Sequence, residues 1–303
     1  MANNITLNTS NIINLNKGNN RFEYTFPIET EFKEGSSIAL SDVNIFLSWY
    51  NVTQAYNNNV LTYIFFNMSG EEESYDITFV DGFYTVATLY EYIQTVLTER
   101  GHYLEYLEAG SGGQVQILYP ISLRANTTFY KLDFIFVGFA QQMDFGEGLV
   151  DYTTIFKAPS TWSIPTVMNT MALQMTTYGS INEYFGFNKG ELVKPSVIDP
   201  VNFKFYNVLS STIPQVMPSS SYIVNCNLCN NELNRNRMSL STFAIKNGVG
   251  FGDLITLDGN PVYNQIQPGK YRTLYIEILD QNFNALQILD PNILINLSVI
   301  KNI

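Results

Sequence analysis

A chain of 303 residues is long enough for one large β domain or two smaller ones, and its 14% charged residues fall well below the roughly 25% of an ordinary globular chain. The formal net charge is −11; the basic stripe that marks a nucleic-acid binder is missing, and an acidic chain has no attraction to an anionic membrane surface. Aromatic residues reach 14%, with 20 Tyr and 21 Phe but 2 Trp; with frequent Asn and Gly this composition favours strands joined by turns.

In chain order, residues 1–20 read as an extended polar arm with little capacity for a core. The arm lacks a basic segment followed by an apolar one, so no secretory signal is expected, and sequons such as Asn4-Ile5-Thr6 and Asn296-Leu297-Ser298 are expected to stay unmodified. Arg21 to Phe26 alternates with period two and stops at Pro27, which reads as a strand. Ser37 to Tyr50 and residues 60–68 are two further β-type runs, separated by the turn Asn57-Asn58-Asn59. Glu71-Glu72-Glu73 reads as a solvated acidic loop, and Tyr75 to Val80 as a short strand closed by Asp81-Gly82. Thr85 then caps a helix whose apolar stripe is Val86, Leu89, Tyr90, Ile93, Val96 and Leu97, with Gly101 at a left-handed C-terminal position.

Beyond the helix, the turn Gly110-Ser111-Gly112-Gly113 separates two short runs as in a hairpin, and Lys131 to Phe139 is a strong strand. Residues 140–200 are less regular and contain Pro159, Pro165, Pro195 and Pro200. Strand patterning returns at Asn202–Val208, Ser221–Leu228, Leu240–Ile245, Leu254–Leu257, Tyr271–Leu279 and Ile293–Ile300. No run of about 18 apolar residues is present, so no transmembrane helix is expected.

This order of elements predicts an all-β chain: a single jelly roll, or β-sandwich, with a large insertion containing one helix and additional strands. The expected boundaries are an N-terminal arm over 1–20, the first part of the jelly roll over 21–67, an insertion region over 68–200 between its fourth and fifth strands, and the second part over 201–303.

No catalytic, cofactor-binding or metal-binding residue is assigned, and no cofactor is expected. The single histidine, His102, lies among Tyr103, Glu105 and Tyr106 without a neighbouring nucleophile pattern, and the G-x-S-x-G elbow is absent. Neither Gly110–Gly113 nor Gly248-Val249-Gly250-Phe251-Gly252 fits a phosphate-binding loop or a dinucleotide fingerprint. Asp253, Asp258, Asp280 and Asp290 sit in turn contexts, where Asp bonds its own backbone in preference to holding Ca²⁺. Arg235 and Arg237, in an Asn-rich stretch, read as solvated loop residues. Cys226 and Cys229 form one C-x-x-C pair in a strand-like context, where residues three apart point to opposite faces; two free, metal-free thiols are expected.

The C-terminal third resembles the penton, or minor capsid, proteins of virophages and related Polinton-type elements. The resemblance rests on CNLCNNELN at 226–234, GVGFGDLITL at 248–257 and YRTLYIEILDQNFNALQILDPNILINLSVI at 271–300, with DGFYTVATLYEYIQ at 81–94 and EYFGFNKG at 183–190 in the same order. It implies a homopentamer at the five-fold vertex of an icosahedral capsid. It also implies neighbouring trimers of a double-jelly-roll major capsid protein, a virion location after intracellular assembly without secretion, and no enzymatic role. Two competing readings follow from the residues alone. A carbohydrate- or receptor-binding β-sandwich head of a viral fibre would use exposed aromatic platforms, with Trp49 and Trp162 as the available indoles. A β-sandwich hydrolase would need two converging carboxylates.

Overall fold

A computed structural model describes residues 2–13, 15, 18–107, 115–144, 149–151, 155–176, 179–231, 238–245, 249–258 and 261–302. Chain contacts divide it into two units, one of Met1–Trp49 with Ser219–Ile303 and one of Tyr50–Pro218. The first unit contains β1 (Ala2–Leu7), β2 (Arg21–Phe32) and β3 (Ser37–Phe46). The second unit contains β4 (Val60–Phe66), β5 (Glu72–Thr78), α1 (Val86–Glu99), β6 (Leu104–Leu107), β7 (Val115–Leu118), β8 (Ile121–Asn126) and β9 (Lys131–Phe139). It continues through β10 (Gln142–Asp144), β11 (Leu149–Asp151), β12 (Phe156–Lys157), β13 (Asn169–Thr170), β14 (Ala172–Gln174), α2 (Asn182–Phe185), β15 (Leu192–Val193) and β16 (Phe205–Leu209). The chain then returns to the first unit as β17 (Tyr222–Cys226), β18 (Ser239–Phe243), β19 (Leu254–Asp258), β20 (Asn264–Gln265), β21 (Gly269–Asp280) and β22 (Leu294–Ile300).

The first unit is a jelly roll. Its eight principal strands fall into two antiparallel four-stranded sheets, ordered β1-β22-β3-β19 and β2-β21-β17-β18, with β20 added beside β3. The pairs β1 with β22, β2 with β21, β3 with β19, and β17 with β18 nest within one another along the chain, as in a long hairpin rolled onto itself. Alternation sets the inward faces: Leu274, Ile276 and Ile278 of β21, and Ile295 and Leu297 of β22, are fully buried. Each such side chain contributes about 1.5–3 kcal/mol by leaving water. The Trp49 indole Nε1–H donates to the Tyr222 hydroxyl at 3.0 Å, and the two rings meet edge to face at 5.0 Å.

The second unit is inserted in the sequence between the third and fourth of these strands. It contains a sheet β15-β14-β4-β5, a sheet β13-β9-β16 with β8 also on β9, a sheet β12-β6-β7, and the pair β10-β11. The Thr85 hydroxyl accepts the Thr88 amide at the start of α1, and Gly101 ends the helix region at φ +69°. The helix buries Leu89, Ile93 and Leu97. Phe65, Phe66, Phe139 and Trp162 form a contiguous ring cluster with centroid separations of 4.8–6.2 Å.

The expected boundaries differ from these pairings in three places. Residues 2–7 are not an arm: they form β1, which pairs along its length with β22 and buries Ile5 and Leu7. Residues 60–66, expected in the jelly roll, pair with β5 and β14, and residues 205–209 pair with β9. The insertion therefore runs over 50–218, in place of 68–200, and follows the third strand, not the fourth. A period-two pattern states that a segment is a strand with one buried face; it carries no information about its partner.

Candidate functional site

His102, the chain's single histidine, is built into the core of the second unit. Its side chain is buried between the rings of Phe65 and Tyr75, at centroid separations of 4.8 and 4.7 Å. The Tyr63 hydroxyl lies 2.8 Å from Nδ1, and Arg100 donates to the same Tyr63 oxygen at 3.0 Å. The single Tyr63 proton is then free to go to Nδ1, which leaves the ring hydrogen on Nε2. Burial first, and the neighbouring Arg100 charge second, hold the imidazole down to about 4. Burial pushes the Tyr63 hydroxyl up to about 12. A neutral imidazole enclosed by aromatic rings, with a tyrosine as its side-chain hydrogen-bond partner, is a packing element and not a proton-transfer centre.

Three of the four turn aspartates also take structural roles. Asp280 is buried and accepts the Asn282 and Asn284 amides, each at 2.8 Å, as well as the Asn284 side chain. Asp290 accepts the Asn292 amide at 2.7 Å, and Asp253 accepts the Gly250 amide at 2.7 Å. These bonds close turns. The Asp258 side chain, Arg235, Arg237, Gly110–Gly113 and Gly248 lie outside the described residues. Among the described residues no three His, Cys, Asp or Glu side chains gather around a common metal position. A cavity of about 10 Å³ under α1 is lined by Leu61, Tyr90, Ile93, Ile121, Leu123 and Phe134, with only apolar surface exposed to it. That is room for about one water molecule and no substrate. No helix of the described residues is long and apolar enough to cross a membrane.

Trp49 and Trp162 are 2% and 3% exposed, so neither offers an aromatic platform for a sugar ring. Cys226 and Cys229 are both buried free thiols, but their geometry is not the expected one. The strand ends at Cys226, and the Cys229 amide turns back to donate to the Cys226 carbonyl at 3.1 Å. This four-residue turn replaces the extended strand on which the two side chains would have pointed to opposite faces.

Large apolar side chains stand exposed along the edges of the jelly roll, most of them at one flank. β19 ends one sheet, and Phe251, Leu254, Val262 and Tyr263 in and beside it are 42–73% exposed. β18 ends the other sheet, and Met238 just before it is 51% exposed. At the opposite ends of the sheets, β1 packs beside β2, and Ile28 stands 73% exposed where the β2 register slips between Thr25 and Thr30. Sequence periodicity signals buried faces, so these edge residues were not legible as surface. Charge is divided unevenly: the insertion carries 16 Asp and Glu against 7 Lys and Arg, net −9, whereas the jelly-roll segments carry 11 against 9, net −2.

No protein-family model matches the chain, and no curated protein matches it in sequence. Among solved structures, the chain is similar over 100% of its length to 99% of the mavirus penton protein, at 9% identity and a TM-score of 0.48. It is similar over 99% of its length to 98% of a chain in the cryo-EM structure of the Sputnik virophage, at 11% identity and a TM-score of 0.44.

Proposed function

We propose that this chain is a structural capsid subunit, without enzymatic activity, that closes into a homopentamer at the vertices of an icosahedral virophage-type particle. The observation that carries the reading is the apolar flank of β18 and β19 on a nearly neutral jelly roll, set against a chemically different flank at β1 and β2. A ring of five requires two different surfaces, because a self-complementary patch yields only two-fold pairs. The flank of β18 and β19, with Phe251, Leu254 and Val262, supplies one surface, and the flank of β1 and β2, with Ile28, supplies another. The residue blocks that resemble virophage pentons, the low charge fraction and the structural roles of His102 and the turn aspartates support the same reading. In this account the partners are four further copies and adjacent trimers of a double-jelly-roll major capsid protein. The virion is the final location, after assembly inside the cell without secretion.

The test is co-expression with such a major capsid protein, followed by imaging of the particles with and without this chain. Closed vertices that require the chain support the proposal. Particles whose vertices are complete in its absence overturn it.

A further inference from the structure

Cys226 and Cys229 form a cluster of nucleophilic side chains that neither the fold nor the assembly reading uses. β17 stops at Cys226, whose amide donates to the Met238 carbonyl at 2.8 Å. Asn227 and Leu228 then make the turn that returns Cys229 to it. The turn is fastened from its other side: the Gln267 amide donates to the Leu228 carbonyl, and the Asn230 amide donates to the Gln265 carbonyl, both at 3.0 Å. A turn closed by the Cys229 amide on the Cys226 carbonyl holds its first and last α-carbons within about 7 Å, close to the separation a disulfide spans. Burial works against a charge on either sulfur, yet the polar surroundings of Cys226, Cys229 foremost, hold its thiol below the ordinary range, while Cys229 is held well above it. Two thiols at the ends of one turn, with no third ligand near them among the described residues, suit a two-electron oxidation better than a tetrahedral metal ion.

We propose that Cys226 and Cys229 are a reversible dithiol–disulfide site, oxidised by a small-molecule disulfide such as oxidised glutathione. The Cys226 thiolate attacks one sulfur of the reagent, forming a mixed disulfide and expelling one glutathione thiolate. Cys229, losing its proton, attacks the Cys226 sulfur of the mixed disulfide; the Cys226–Cys229 bond forms and a second glutathione thiolate leaves. The two protons of the original thiols end on the two glutathione molecules. The protein is oxidised by two electrons, and the reagent is reduced by two. Both side chains are at most 4% exposed, so the reagent gains access when the turn opens, and closure is slow but intramolecular.

The experiment incubates the full, folded chain with oxidised glutathione, quenches with acid, unfolds it, alkylates free thiols and measures intact mass and the peptide that carries both cysteines. The expected result is a chain lighter by two hydrogen atoms, unalkylated at Cys226 and Cys229, and restored by reductant. Cys229→Ser should accumulate a glutathione adduct on Cys226, because the resolving thiol is gone. If the wild-type chain keeps two alkylatable thiols, the pair is inert core and the proposal is overturned. A persistent glutathione adduct or an interchain dimer in the wild-type chain overturns it as well. Should the serine variant fail to fold, the wild-type mass still decides.

Discussion

Acid should weaken the insertion through His102 before it titrates most of the carboxylates. The folded chain holds this imidazole neutral at about 4, against 6.5 for an exposed histidine. Below 6.5 the unfolded chain takes up a proton that the folded chain refuses, so stability is full above that pH, falls between 6.5 and 4, and is flat in this contribution below. At about 1.4 kcal/mol per pH unit, that interval comes to about 3 kcal/mol. The cause is geometric: the ring is 4% exposed, enclosed by Phe65, Tyr63 and Tyr75, and has the Arg100 cation beside it, so a second positive charge there finds neither water nor an anion. His102→Gln keeps an acceptor for the Tyr63 hydroxyl and removes the titration. Urea unfolding of both chains at pH 7.5 and pH 4 isolates the effect, because every other group titrates alike in the two. Wild-type stability should fall by about 3 kcal/mol more than that of the variant. Equal losses in the two chains would refute the reasoning.

Gly186→Ala should destabilise the insertion by at least about 1–3 kcal/mol in thermal unfolding, because φ is +76° and the new Cβ would sit 2.5 Å from the Thr212 carbonyl oxygen and 2.9 Å from the Pro214 nitrogen. A neutral result would mean that this turn can move aside. Trp49→Phe removes the donor to the Tyr222 hydroxyl and leaves a void, for an expected loss of about 1–3 kcal/mol in urea unfolding; less than about 0.5 kcal/mol would contradict the pairing. Deleting residues 1–8 should cost several kcal/mol, at about 1.5–3 kcal/mol for each of Ile5 and Leu7 plus the exposed edge of β22, whereas a true arm would be removed without a change in midpoint.

The helix was the most legible element: Thr85, the stripe through Leu89, Ile93 and Leu97, and Gly101 define its start, its buried face and its end. The strand over 131–139 was equally clear, since Leu132, Phe134, Phe136 and Phe139 are all buried. β1 was hidden because only Ile5 and Leu7 mark its inner face among asparagines, a composition that reads as turn or arm. The ownership of 60–66 and 205–209 was hidden for a different reason: register and partner are tertiary properties, and a central strand looks the same whichever sheet receives it. At Cys226 the alternating pattern appeared to run on through Leu228, but the chain turns there to meet Ile266, and with that turn the opposite-faces argument for the two thiols fails. The apolar edge residues Ile28, Leu254 and Val262 could not be separated from core residues by sequence, because hydrophobicity alone does not distinguish a strand's buried face from a surface kept for a neighbour.

The symmetry of the chain's own assembly tests the central claim most directly. Each interface in a five-membered ring need bury no more than about 1,600 Å², so a dilute monomer is compatible with the account, and the measurement belongs at high protein concentration or in the assembled shell. Negative-stain or cryo-electron microscopy of the concentrated chain should give rings with five-fold symmetry. Replacing both Leu254 and Val262 with Asp should abolish the rings while leaving a folded monomer. Two-fold or three-fold particles, with no five-fold species either in solution or at the vertices of a shell, would contradict the penton assignment.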